Sequence, residues 1–400
     1  MKFIKKKERH FLLYILIILS SFWIITFPSK GFLYQLSLYS IPVLVLYIKN
    51  LRRNIFKYFK NYGFYLFIIF ILPVIFSDFL NFLLTKLFYG ELDTIFEMSW
   101  RLIIFPISIA ALLLNLDVSV KKLVFILPLL FSLHSLAGLV EYFPHLAYVD
   151  ALRWTGRMNG FTFNPNVFGL LMAFTFVLAF YGSLRSQGRV ELVIYLVEMA
   201  LFLVCCILSG SRGSLLAMLA GVVVLLLTDR KKVIYFSSIL ILITLFAYSL
   251  DMFDTLKYRF SKFFVSDERL LLLNEYFNEI LQKIVVGYGS SPISLVGPDS
   301  PVTAVGPHNI FVETLYRTGL VGLVLLLAFI YCLCKKYWHN RQESPAIVLS
   351  ACLLVAGLFD HSIYKSIIYQ SLFAIIFIFI LIDNAHDEVF VPGEKDIAQG

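Results

Sequence analysis

Long apolar runs follow one another along nearly the whole chain, each broken by a short polar interval. A helix rises about 1.5 Å per residue, so runs of about 17–25 residues are long enough to cross a hydrocarbon core of ~30 Å. Backbone groups in that core must be satisfied within the segment, which favours helices. The pattern predicts twelve spans, over 11–28, 32–48, 63–80, 99–114, 122–142, 161–182, 190–208, 213–228, 233–250, 309–334, 345–360 and 366–382. The alternating ten-residue strands of an outer-membrane barrel are not what the sequence shows. One polar interval, 251–308, is far longer than the rest. Within it, 266–286 reads as a helix along the membrane interface, with Ser266 as its N-cap. Leu273, Phe277, Ile280, Leu281 and Ile284 would share the apolar face of that helix, with Asn274, Glu275, Asn278, Glu279 and Lys283 elsewhere. From Gly287 to Pro307 the chain is rich in Gly, Pro and Ser and reads as a shaped loop.

Composition agrees with this pattern. The 400 residues are 60% hydrophobic and 15% charged, with mean hydropathy +0.83, too little charge for a soluble protein of this size. The expected fold is therefore all-α and polytopic. Residues 1–382 would form one integral-membrane domain with one long loop, 251–308, and 383–400 a polar tail. No internal repeat stands out.

Charge changes the picture by giving the spans a direction. The net charge of +8 does not imply nucleic acid, because the basic residues sit in short loops. With the N-terminus inside, the inner segments hold Lys49, Arg52, Arg53, Lys57 and Lys60, then Lys121 and Lys122, then Arg185 and Arg189, then Arg230, Lys231 and Lys232, then Lys335, Lys336 and Arg341. Every inner loop carries at least two, as the positive-inside rule requires. The intervals 81–98, 143–160, 209–212, 251–308 and 361–365 then face outward. Lys2, Lys5, Lys6, Lys7 and Arg9 precede the first run and resemble a signal peptide. No small-residue cleavage site follows, so an uncleaved first span is expected. The five cysteines lie within apolar runs, and Cys332 and Cys334, two apart on a helix, do not face a common ligand.

A few polar residues stand where they are costly. Arg212 lies in the turn Ser209-Gly-Ser-Arg-Gly213 between two spans, so it either snorkels to the interface or has a function. Its guanidinium matches phosphate oxygens, and Gly210 and Gly213 allow close backbone approach. Arg269 stands in the first turn of the loop helix, where a cation opposes the helix dipole. An anionic ligand would account for it, as would an ion pair with Asp267 or Glu268. His308 follows Pro307 at the start of the tenth span, with Asn309 beside it. A neutral imidazole there fits a general base as well as it fits a hydrogen-bonded interfacial histidine. Glu313 and Arg317, four apart, are spaced to neutralise each other within a helix bundle. His134, Glu141, Glu198 and Asp360 read as helix–helix hydrogen-bonding groups. Arg157 stands in a segment that enters the sixth span, where it either shapes a cavity mouth or contacts phosphate.

Three stretches carry a resemblance. They are Gly156-Arg-Met-Asn-Gly-Phe-Thr-Phe-Asn-Pro-Asn166, Ser209-Gly-Ser-Arg-Gly-Ser-Leu-Leu-Ala217, and Gly306-Pro-His-Asn-Ile-Phe-Val-Glu-Thr-Leu-Tyr-Arg-Thr-Gly-Leu-Val-Gly322. In that order, with a long outer loop before the histidine, the chain resembles the O-antigen ligase and O-antigen polymerase superfamily over about 150–325. These are bacterial membrane glycosyltransferases of about twelve helices. The resemblance implies that Arg212 and Arg269 hold the diphosphate of an undecaprenyl-linked glycan and that His308 serves the acceptor hydroxyl. Residues after Arg269 match the superfamily poorly, so Lys257, Arg259 or Lys262 could take its place. Arg157, Asn309 and Arg317 are further candidate substrate contacts. The expected reaction is inverting transfer of the glycan, without metal or cofactor, to an acceptor such as lipid A-core. The expected location is the outer face of the bacterial inner membrane, among membrane lipids, with both termini cytoplasmic. A polymerase of the same superfamily is the near alternative. A flippase or transporter is the distant one, though it would favour charges near mid-membrane and repeated halves.

Overall fold

The computed structural model describes residues 57, 64–85, 95, 98–115, 118–145, 157–162, 164–227, 238, 241, 267–290, 307–339, 344–359 and 367–389. The expected spans 11–28 and 32–48 lie outside them, as does 233–250 apart from Ser238 and Ile241, and so do Lys257, Arg259, Lys262 and Asp360 and the tail from 390 onward.

Among the described residues every regular element is helical. The main helices are α1 (Leu72–Thr85), α2 (Phe105–Asn115), α3 (Val120–His145), α4 (Pro165–Ser183), α5 (Arg189–Leu208), α6 (Arg212–Leu226), α7 (Asp267–Gln282), α8 (Ile310–His339), α9 (Ala346–Phe359) and α10 (Ile367–Val389). Nine of them fall on expected spans and α7 on the expected loop helix. Among the described residues four helices, α3, α4, α5 and α8, are long and apolar enough to cross a membrane. Shorter apolar helices include α6 and α9.

Local chemistry explains several boundaries. A wide π-turn, Phe67–Ile71, runs into α1, and another, Trp100–Ile104, runs into α2. Each ends just ahead of a proline, Pro73 or Pro106. The proline ring clashes with the carbonyl four residues back, here that of Ile69 or Leu102, and the backbone relaxes into the wider spacing. The sixth expected span, 161–182, begins later than expected. A short turn, Gly160–Thr162, precedes it, and Asn164 caps α4 by accepting from the amides of Asn166 and Val167. Pro165 then occupies the first helical position, where no amide is missed.

Helix α4 is the centre of the bundle. Its residues from Phe168 to Ser183 are all buried, as expected of a helix that is apolar all round. It packs against α3, α5, α6 and α9; α9 in turn meets α6, α8 and α10, and α10 meets α2. The outward faces of the bundle are also apolar. Val193 and Val197 on α5 are exposed, as are Leu216, Leu219 and Val223 on α6 and Leu320, Val324 and Tyr331 on α8. Such a surface, apolar inside and out, suits lipid rather than water. The protein is a multi-pass membrane protein.

One side of helix α7 is packed against α8. Tyr276 and Ile280 are buried and pack with Tyr316 of α8. Phe277, Leu281 and Ile284, assigned with Ile280 to one apolar face, remain exposed. The helix therefore docks on α8 through a tyrosine, a residue the aliphatic pattern had passed over.

Candidate functional site

Three helix ends and one turn meet at one end of the bundle. The turn is Ser209–Ser211, between α5 and α6. Gly210 takes a left-handed conformation, φ 61°, which glycine adopts at no steric cost. Ser211 then caps α6, its Oγ accepting from the Ser214 amide. Ser211 and Ser214 hydroxyls lie 2.7 Å apart, and Ser214 Oγ donates to the Asn166 carbonyl. Gly169 of α4 lets this turn approach closely, because a Cβ there would lie 2.5 Å from Ser209 Oγ. Arg212, half-buried, is the first residue of α6.

Arg157 belongs to this turn. Its Nε donates to the Ser209 carbonyl at 2.7 Å and an Nη to Asn166 Oδ1 at 2.5 Å, while the Met158 amide donates to the Leu208 carbonyl. Charge-assisted hydrogen bonds of this kind are the strong ones, so Arg157 ties the segment before α4 to the turn before α6.

His308 and Asn309 immediately precede α8. Asn309 Oδ1 accepts from the amides of Phe311 and Val312, satisfying donors that a helix start leaves open. Its Nδ2 donates to the Leu358 carbonyl near the end of α9, at 3.3 Å. His308 itself holds a positive φ of 51°. Histidine tolerates this region better than most residues but still at some cost.

The end of α9 links the two helix starts. Leu358 touches Asn309. The next residue, Phe359, lies against Gly213, where an added Cβ would be 3.0 Å from Phe359 Cβ. The helix starts that bear Arg212 and His308 thus flank two consecutive residues of α9. Arg269 is in the first turn of α7, but its side chain lies outside the described residues.

Arg317 is farther along α8 and almost completely buried. Its Nε donates to Glu313 Oε1 at 3.1 Å, each side chain 1% exposed, and its Nη1 donates to the Gly289 carbonyl. The guanidinium is engaged within the fold. Just beyond it, Gly319 breaks the helix with φ 64° and ψ −164°. The break is met by the segment after α7. The Tyr288 amide donates to the Tyr316 carbonyl, the Gly289 amide to the Arg317 carbonyl, and the Leu320 amide to the Ile284 carbonyl. Buried backbone groups demand such partners.

Sequence reasoning missed this second cluster almost entirely. It includes Tyr288, stacked 4.6 Å from Tyr316 and donating to Glu279 Oε2, and Lys283, whose Nζ lies over the Tyr288 ring and donates to Asn81 Oδ1 at 2.6 Å. Burial holds the Lys283 ammonium below its usual range, and Glu279 partly offsets this. Burial, reinforced by the hydrogen bond to Glu279, pushes the Tyr288 phenol up. Gly287 and Gly289, both at positive φ, were the only sequence signal for the close approach.

A search of curated proteins finds no match. The O-antigen ligase family model (Wzy_C) matches residues 197–327. That stretch holds Arg212, Arg269, His308 and Arg317 but not Arg157, whose segment the resemblance had included. Over about a third of the chain, from the second half of α5 to the middle of α8, the match supports the resemblance to the O-antigen ligase superfamily.

Proposed function

We propose that the protein transfers a glycan from an undecaprenyl diphosphate carrier to an acceptor hydroxyl, with lipid A-core as the acceptor, at the outer face of the inner membrane. The observation that carries this reading is the juncture at Leu358–Phe359, which brings the Arg212 and His308 helix starts to one place. Both are N-termini, whose dipoles favour an anion between them. Arg212 would hold the carrier diphosphate, joined by Arg269 from α7. His308 would accept the proton of the incoming hydroxyl as its oxygen bonds to the anomeric carbon. The bond from that carbon to the diphosphate oxygen breaks in the same step, and the leaving diphosphate takes the electron pair. Attack opposite the leaving group inverts the anomeric centre. Guanidinium groups fixed where negative charge builds up lower the barrier without reorganising, and a positioned base contributes typically ~10²–10⁴ in rate. On this reading no metal is needed. Arg157, Asn309 and Arg317 serve the site by building its walls.

The test is an assay in defined lipid. Purified protein is given undecaprenyl diphosphate glycan with either lipid A-core or a second lipid-linked chain. Capped lipid A-core supports the ligase reading, and a lengthened carrier-linked chain points to the polymerase. Movement of the donor across the bilayer without a new glycosidic bond would contradict both.

A further inference from the structure

Three polar side chains on α1 lie outside the family match and have no place in the chemistry above. Ser77, Asp78 and Asn81 are all buried, at 0%, 5% and 7% exposure. Their spacing of three and four puts Ser77 and Asp78 on the face that carries Asn81. Each reaches the segment that follows α7, some two hundred residues later. Asp78 Oδ1 accepts from the Ser290 amide at 2.9 Å, and Oδ2 accepts from the Ser290 hydroxyl at 2.7 Å. Asn81 Nδ2 donates to the Gly287 carbonyl at 3.1 Å, while its Oδ1 receives Lys283. Ser77 Oγ contacts the carbonyls of Val286 and Arg317, the latter at 3.0 Å. A carboxylate in such a place costs several kcal/mol unless its oxygens are well bonded. Here both are bonded to one residue, Ser290.

The same short segment fills the break in α8. One stretch of backbone, 284–290, is thus gripped on one side by α1 and on the other by the carbonyls of Tyr316 and Arg317 and the amide of Leu320. It is continuous with α7, whose first turn holds Arg269. The broken helix leads directly back to Asn309 and His308. We infer that Asp78 is a positioning residue: by fixing Ser290 it pins the segment after α7 into the break of α8, and so sets the helix bearing Arg269 against the helix bearing His308. This rests on the proposed transferase function for its consequence, although not for the contact itself.

The experiment compares full-length wild type with Asp78→Ala and Asp78→Asn in lipid nanodiscs. Asparagine keeps an oxygen for the Ser290 amide and can donate to its hydroxyl, so it is the conservative rescue. Hydrogen exchange is read at the amides of Gly287 to Ser290, and transfer kinetics are read with acceptor and donor varied separately. Asp78→Ala is expected to speed exchange at those amides while leaving α4 to α6 unchanged. It is also expected to lower kcat about tenfold to a hundredfold, the scale of a small misplacement, with acceptor KM unmoved. Asp78→Asn should restore most of both. Unchanged exchange in Asp78→Ala would overturn the pinning. Faster exchange with wild-type kinetics, or exchange that rises throughout the bundle, would overturn the positioning role. Failure of the transferase reading shows first in wild type, as absence of product with either acceptor, and the exchange comparison still judges the contact.

Discussion

Arg317 and Asn309 show how a residue's partners decide its reading. The Arg317 guanidinium is committed to Glu313 and the Gly289 carbonyl. Removing one member of a buried ion pair strands the other, at a cost of about 3–5 kcal/mol. Arg317→Met should therefore lower thermal stability sharply, and Glu313→Gln in the same chain should recover much of it. If Arg317 instead bound substrate alone, neither variant would lose stability. Asn309 separates in a similar way. Asn309→Ala removes a cap, at about 1 kcal/mol, whereas Asn309→Ser keeps it. If the cap is what matters, transfer by the serine variant stays near wild type and melting follows the cap. Loss of transfer in both variants with unchanged melting would make the amide a substrate contact instead.

Elements were legible where hydrophobic periodicity alone fixes them. The positions of α1 to α6 and α8 to α10 could be read from apolar runs, because a membrane helix is specified by length and composition. The turn at Ser209–Gly213 was legible too, since glycine and serine between two spans leave little else. The break in α8 was not. Gly319 sits within an expected span, just after Arg317 and Thr318, and its role depends on residues about thirty positions earlier. An added Cβ at Gly319 would overlap the Val285 carbonyl oxygen, and its positive φ disfavours any side chain by about 1–2 kcal/mol. Gly319→Ala should thus displace 284–290, and hydrogen exchange at Leu320 and Gly289 should rise together. If only the Leu320 amide is affected, the two chain segments are not coupled as the hydrogen bonds imply. The partners of α7 were hidden for a related reason, because Tyr276 and Tyr316 form an aromatic contact, 5.2 Å between rings, that no single helix pattern contains.

At the scale of the whole molecule, the contacts sort the helix ends into two groups. Arg157 with Ser209, Asn309 with Leu358, and Asp78 with Ser290 join intervals or span ends that the loop charges assign to the outer side. Lys121 pairs with Glu191 at 3.8 Å and with Gln187 at 3.2 Å, joining two that the charges assign inside. These pairings owe nothing to the counting of basic residues, and each joins segments expected on the same side. The agreement gives sidedness a direct test. Asn274, exposed on α7, and Gln187, exposed between α4 and α5, are each changed to cysteine in a chain whose five native cysteines are replaced by serine or alanine. In intact cells opened only at the outer membrane, an impermeant maleimide should label Asn274→Cys at once and Gln187→Cys only after detergent. Equal labelling of both from outside would place the two helix-end groups on one face. The proposed outward-facing site would then lose its footing, because a carrier-linked glycan presented outside could not reach the helix starts that bear Arg212 and His308.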